Sequence, residues 1–184
     1  LDGSENTMKR IFLFLSVLAL TIVSAHAKDI NAEKISIRQA RDIGFMSESA
    51  ARKEFAGYTF TLKRPKVKAN ALKDVFPFRG TVVAYFAPNG RILVWEGKAE
   101  KVAVGAWGVG APLDKASKAG NLVCFDFSGK SKKYLPCPII KVYGKSMYER
   151  AKGNVFNLRA GGKVPKVVKS IDRKLQKLHD SLGK

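Results

Sequence analysis

The chain has 184 residues, 46% of them hydrophobic, with 34 basic against 15 acidic side chains and a formal net charge of +19. The apolar content excludes a disordered chain, and downstream of residue 27 two cysteines and one histidine, His179, leave too few Cys and His ligands for an ordinary four-ligand zinc site. The charge points either to an acidic partner, such as an anionic polymer or a lipid surface, or to the basic character many exported proteins share.

Residues 1–7, LDGSENT, precede Met8 and have no place in an export signal; they are read as upstream or cloning-derived and set aside. Residues 8–27, MKRIFLFLSVLALTIVSAHA, have the layout of a secretory signal peptide. Lys9 and Arg10 form its positive region, an apolar run follows, and Ala25 and Ala27 supply the small residues of a cleavage site after Ala27. The apolar run is shorter than the roughly 20 residues a transmembrane helix needs. The product is expected to be exported, to a periplasm or the cell exterior, which argues against nucleic acid as the partner.

Residues 28–46 read as an irregular arm. In SESAARKEF, Ser47 is a suitable N-cap, Glu48 suits the first turn, and Phe55 followed by Gly57 marks the end of a short helix. GYTFTL (57–62) is aromatic and β-branched and reads as a strand, followed by a basic loop containing Lys63, Arg64, Lys66 and Lys68. Two apolar runs then flank Pro88-Asn89-Gly90, a hairpin turn signal. Val83, Tyr85 and Ala87 fall on one face, and Val82, Ala84 and Phe86 on the other, so both faces are partly apolar, as in a closed barrel or a covered sheet. KVAVGAWGVG is the next strand; its glycines suggest a bulge, a bend or close backbone approach, and Trp107 reads first as a core aromatic. NLVCFDF, the tip SGKSKK and YLPCPIIKVYG follow, then one or two short strands within GKSMYERAKGNVFNL. Sequential hairpins without a helical crossover favour an antiparallel meander, so residues 47–162 are expected to form a mainly β, small antiparallel barrel.

Residues 163–184 are expected to form a basic amphipathic helix opened by Pro165. Val164, Val168, Ile171, Leu175, Leu178 and Leu182 make a helical stripe. That stripe either packs on the barrel, binds a partner helix, or lies on an anionic membrane through residues 165–182. The two cysteines, Cys124 and Cys137, are too far apart for a Cys-x-x-Cys redox pair. In an exported domain they are expected to form a disulfide, worth about 3 kcal/mol in the chain-entropy model.

The order of motifs YFAPNGR, GAW, LVCF and PC resembles a family of small exported bacterial proteins catalogued as a domain of unknown function. Here the pattern is carried by Tyr85, Phe86, Gly90, Arg91, Gly105, Trp107, Cys124, Phe125 and Cys137. The resemblance spans about residues 45–160 and departs from the pattern at Ala106, where threonine is commoner, and in the long basic C-terminal segment. It implies a calycin-like (lipocalin-like) antiparallel β fold with a disulfide, and no activity.

Catalytic sets are hard to assemble. Past the signal the lone histidine is His179, in the basic tail, where a solvated helix face is the expected setting rather than a triad. Glu96, Glu100, Asp126 and Glu149 are carboxylates without a spacing that singles out a glycosidase pair. The expectation is therefore a non-enzymatic exported module, without cofactor or metal, that binds an acidic envelope partner. Its contacts would be Lys130, Lys132 and Lys133 at the cysteine-closed tip, and Lys169, Arg173 and Lys177 in the C-terminal segment. The partner would be an anionic glycan or a lipid head group. The alternatives are a protein-binding inhibitor or chaperone-like factor that engages an acidic protein, and a calycin-like carrier of a small apolar ligand.

Overall fold

The computed structural model describes residues 29–35, 46–64, 76–110, 122–127 and 146–183. The signal segment with its cleavage point after Ala27, the tip lysines Lys130, Lys132 and Lys133, and Cys137 lie outside the described residues.

Seven strands make one antiparallel sheet: β1 Glu33–Lys34, β2 Tyr58–Lys63, β3 Thr81–Phe86, β4 Arg91–Glu96, β5 Ala103–Gly110, β6 Leu122–Asp126 and β7 Met147–Lys152. The order across the sheet is β1-β7-β2-β3-β4-β5-β6. β2 to β6 run as the expected meander, and β7 returns to the far side of β2, where Phe60 pairs with Arg150 and Thr59 with Ala151. Among the described residues no pairing joins β6 to β1, so the described sheet is open where a closed barrel was expected.

Local chemistry accounts for most of the element boundaries. Helix α1 (Glu48–Phe55) starts where the Ser47 hydroxyl accepts from the Ala50 N–H at 3.3 Å, and it carries Glu48 in its first turn. The β3–β4 hairpin closes at Gly90, whose φ of +82° suits a residue without a Cβ. Asn89 Oδ1 accepts from the Arg91 N–H, and the Ala87 N–H donates to Arg91 O at 2.8 Å. In β5, a Cβ on Gly105 would lie 2.6 Å from Asp126 O and 2.7 Å from the Phe127 ring, which is the close approach anticipated for this strand.

Alternation along the strands builds two cores, one on each face. One face carries Phe60, Leu62, Val82, Ala84, Phe86, Ile92 and Val94, packed with Trp107, Phe125 and, from α1, Ala51 and Phe55. Trp107 is a core residue: its ring meets Phe86 edge-on at 5.2 Å and its Nε1–H donates to Ala87 O at 2.9 Å. The other face carries Val83, Leu93, Trp95 and Ala151, covered by Phe156, Leu158, Val164, Ile171, Leu175 and Leu178 from the C-terminal segment. Of the two readings, barrel or covered sheet, the described strands fit the covered sheet.

The C-terminal segment is a strap rather than the long helix expected over 163–184. Only α2, Leu175–Asp180, is helical. Upstream of it the backbone bonds to the β4–β5 connection: the Val164 N–H donates to Glu100 O and the Val168 N–H to Gly97 O at 2.7 Å, and Lys163 bridges Lys101. The β-branched pair Val167-Val168 favours this extended course. Asp172 Oδ1 accepts from the Lys174 N–H at 2.9 Å, a local turn that delays the helix start. A buried threonine of β2 fastens the segment, Thr61 Oγ1–H donating to Arg173 O at 2.6 Å, and its neighbour Thr59 fixes the turn after β7 by donating to Gly153 O at 2.6 Å. The stripe is thus packed on the sheet, the first of its three expected settings, with Val167 left 57% exposed. Among the described residues no helix is long and apolar enough to cross a membrane.

Candidate functional site: a basic cleft at the open end of the central hairpin

The β3–β4 hairpin has a turn at one end and an open end at the other. At the open end, Arg79 and Gly80 lead into β3 while Gly97 and Lys98 leave β4. The register Val82↔Glu96 brings these four residues side by side. The strap crosses there and adds Lys169, Ser170 and Ile171. Together with Thr81 and Glu96 they enclose a cleft of about 560 Å³.

Its geometry follows from two close contacts. A Cβ on Gly97 would lie 2.8 Å from Val168 O, so only glycine lets the strap backbone approach this near. Glu96 Oε1 accepts from the Arg79 N–H at 3.1 Å, which turns the one carboxylate of the cleft toward a backbone donor and fixes the chain as it enters β3. Ile171 is buried beneath. Arg79, Lys98 and Lys169 are exposed, and among the described residues none of the three makes an ion pair. Three cations face one carboxylate that already holds a hydrogen bond, so the cleft presents positive potential to an incoming anion.

Of the anion contacts expected in the C-terminal segment, this cleft takes Lys169 and not the other two. Arg173 stacks on the Tyr148 ring at 4.5 Å while its carbonyl receives Thr61, so it fastens the strap. Lys177 pairs with Asp172 at 3.0 Å. The cleft adds Arg79 and Lys98, which charge clustering alone did not single out. Hairpin symmetry is the signal that finds them, since they stand near-equidistant from the Pro88-Asn89-Gly90 turn.

The other candidates have structural places. Glu149 Oε2 accepts from the Leu175 N–H at 2.8 Å and so caps α2. Glu100 lends its backbone carbonyl to the strap, and Asp126 sits in β6. Arg150 joins β7 to β1 and α1 through Glu33 and Glu54, and lies over the Tyr58 ring at 4.8 Å. Burial works against its charge, but the two carboxylates outweigh that and its pKa is raised. His179, expected on a solvated face, is half-buried beside Phe156, with Nδ1 sealed from solvent. Cys124 lies in β6, and no described cysteine is a free thiol.

No protein-family model, no curated protein and no solved structure was found to match the chain.

Proposed function

We propose that the protein is an exported, non-enzymatic module that binds an acidic glycan of the cell envelope, with Arg79, Lys98 and Lys169 as its described contacts. The observation that carries this reading is the cleft: three cations without ion-pair partners among the described residues, around one engaged carboxylate, on a chain of net charge +19. Lys130, Lys132 and Lys133 would extend the surface. Export, the calycin-like barrel and the family resemblance stay within this proposal as expectations drawn from the sequence.

A glycan is preferred to a lipid surface because the apolar stripe that would enter a bilayer is packed against Trp95 and Phe156. Apart from Val167 and Pro165, what the strap turns outward is mainly charge and polar groups, which suits a soluble polyanion. The test is binding of the protein, purified after expression of the full chain, to a polyuronate and to vesicles of anionic lipid across a salt series. The expected result is polyuronate binding that weakens steeply with salt, and a roughly tenfold loss when Arg79, Lys98 and Lys169 are all replaced by glutamine. Binding that ignores salt, or that survives the triple replacement, would sink the reading; preference for vesicles would move it to lipid.

A further inference from the structure

A second cleft, of about 360 Å³, opens where three separate segments meet: the arm entering β1, the loop after β7, and the end of α2. Three side-chain amides, Asn31, Asn154 and Asn157, line it together with the His179 imidazole. Asp29 and Lys152 add one charge of each sign, and Ile30 and Val155 form an apolar wall. Its charge is balanced, unlike that of the basic cleft.

The walls are held in place before any ligand arrives. The Ile30 N–H donates to Gln176 Oε1 at 3.0 Å, tying the arm to α2. Asn154 is consumed by its own loop: Oδ1 accepts from the Leu158 N–H at 2.9 Å and Nδ2–H donates to Leu158 O at 2.8 Å. The Gly153 carbonyl is fixed by Thr59. Such locking reduces the ordering cost of binding.

Asn31 and Asn157 behave differently. They are the non-glycine residues with positive φ among those described, at 41° and 51°, and both stand on this cleft. After glycine, asparagine is the residue that most readily adopts such a conformation, and it leaves an exposed amide at each position. Neither amide has a hydrogen-bond partner among the described residues, so each offers a donor pair and an acceptor to whatever enters. His179 Nδ1 is buried without a partner, and Nε2 makes no hydrogen bond to a described residue; Nε2 is therefore the ring atom that remains accessible.

Unpaired amides beside an apolar wall suit a ligand whose hydroxyls both give and accept hydrogen bonds while its C–H face needs cover. A volume near the low end for ligand pockets limits its size. We infer that this cleft binds a small neutral polyol, a single saccharide ring, through the amides of Asn31 and Asn157 and the His179 imidazole. The inference stands apart from the basic cleft and does not depend on it.

The test is an NMR titration of the isotopically labelled protein, purified after expression of the full chain, with glucose, galactose, N-acetylglucosamine and ribose, and with sodium sulfate as the charged comparator. The expected result is saturable amide shifts at residues 30–31, 153–157 and 179 with at least one sugar. Asn31→Gly and Asn157→Gly each keep the backbone conformation and remove the amide. Each should weaken binding roughly tenfold without lowering Tm, a split that a purely structural role would not give. The inference fails if no sugar moves those amides, if sulfate alone does, or if both glycine variants bind as tightly as the parent.

Discussion

Replacing Gly97 with alanine tests the strap and the basic cleft together. The new Cβ would lie 2.8 Å from Val168 O, 3.3 Å from Val168 Cγ2 and 3.5 Å from the Ile171 nitrogen. The closest of these is backbone, so the strap must retreat instead of a side chain swinging aside. The retreat strains the 2.7 Å bond from the Val168 N–H to Gly97 O. Losing that bond costs about 1 kcal/mol, and overpacking adds about 1–3 kcal/mol. Against this, alanine restricts the unfolded chain and returns about 0.4–1 kcal/mol. The net expectation is a loss of about 1–3.6 kcal/mol, which at this chain length lowers Tm by roughly 2–14 °C. Urea unfolding followed by the fluorescence of buried Trp95 and Trp107 reads it as a lower midpoint at unchanged slope. Polyuronate affinity should fall as well, because Lys169 moves with Val168. A midpoint equal to or above the parent's would refute the reasoning, since it would mean the strap does not cross at Gly97.

Thr61→Val keeps the side chain's shape but leaves the Arg173 carbonyl without its buried donor, for an expected loss of about 1–2 kcal/mol in the same urea assay. Arg150→Lys preserves charge but cannot serve both Glu33 and Glu54 or stack on Tyr58, so it should cost about 1–2 kcal/mol, read as faster amide hydrogen exchange at Glu33–Lys34. The Lys174 N–H and the Lys177 ammonium hold the Asp172 carboxyl below its ordinary pKa. Its contribution is therefore present in full above the ordinary aspartate value and lost as pH falls through the depressed one; the acid limb of the stability profile should be flatter in Asp172→Asn. Protein recovered from an oxidising compartment is expected to weigh two hydrogens less than the reduced chain and to resist thiol alkylation until reduced, as a Cys124–Cys137 bond requires.

The elements legible from sequence were those fixed by neighbouring residues. Ser47 declares the start of α1 because its hydroxyl satisfies a donor three residues on. Pro88-Asn89-Gly90 declares the hairpin because a turn is local chemistry. The glycines of β5 announce a close approach, though not that its partner is the Asp126 carbonyl. What sequence did not disclose was long-range. Nothing in MYERAK says that β7 pairs with β2, since alternation identifies a strand but not its neighbour. The strap misled for a related reason. A 4-3-4 spacing of apolar residues satisfies a helix, yet Val164, Val168 and Ile171 reach the core from a non-helical chain, where the Val164 and Val168 N–H groups find carbonyls of the β4–β5 connection instead. The basic cleft was half legible: Lys169 stood out in a charged run, while Arg79 and Lys98 needed the hairpin register to bring them together.

The fate of the apolar stripe bears on what the excess charge is for. Had residues 163–184 formed one free amphipathic helix, its hydrophobic face would have been the binding device and its lysines accessory. Instead Val164, Ile171, Leu175 and Leu178 complete the core against Trp95, Val83 and Ala151. The same residues, for which packing on the β domain, a partner helix and an anionic membrane were the three expected settings, serve as the cover of the described sheet, and their polar neighbours are turned outward as a consequence. Lys166, Lys169, Arg173 and Lys174 are all exposed on the strap. Arg173 and Lys166 also hold contacts within the chain, through Tyr148 and the Ser181 carbonyl. Lys169 has no such contact among the described residues, and it is the one that Gly97 places beside Arg79 and Lys98. Surface charge with a fastening role is accounted for by the fold; three cations around a cleft, without ion-pair partners among the described residues, are not, and contact with an acidic ligand is the use we propose for them.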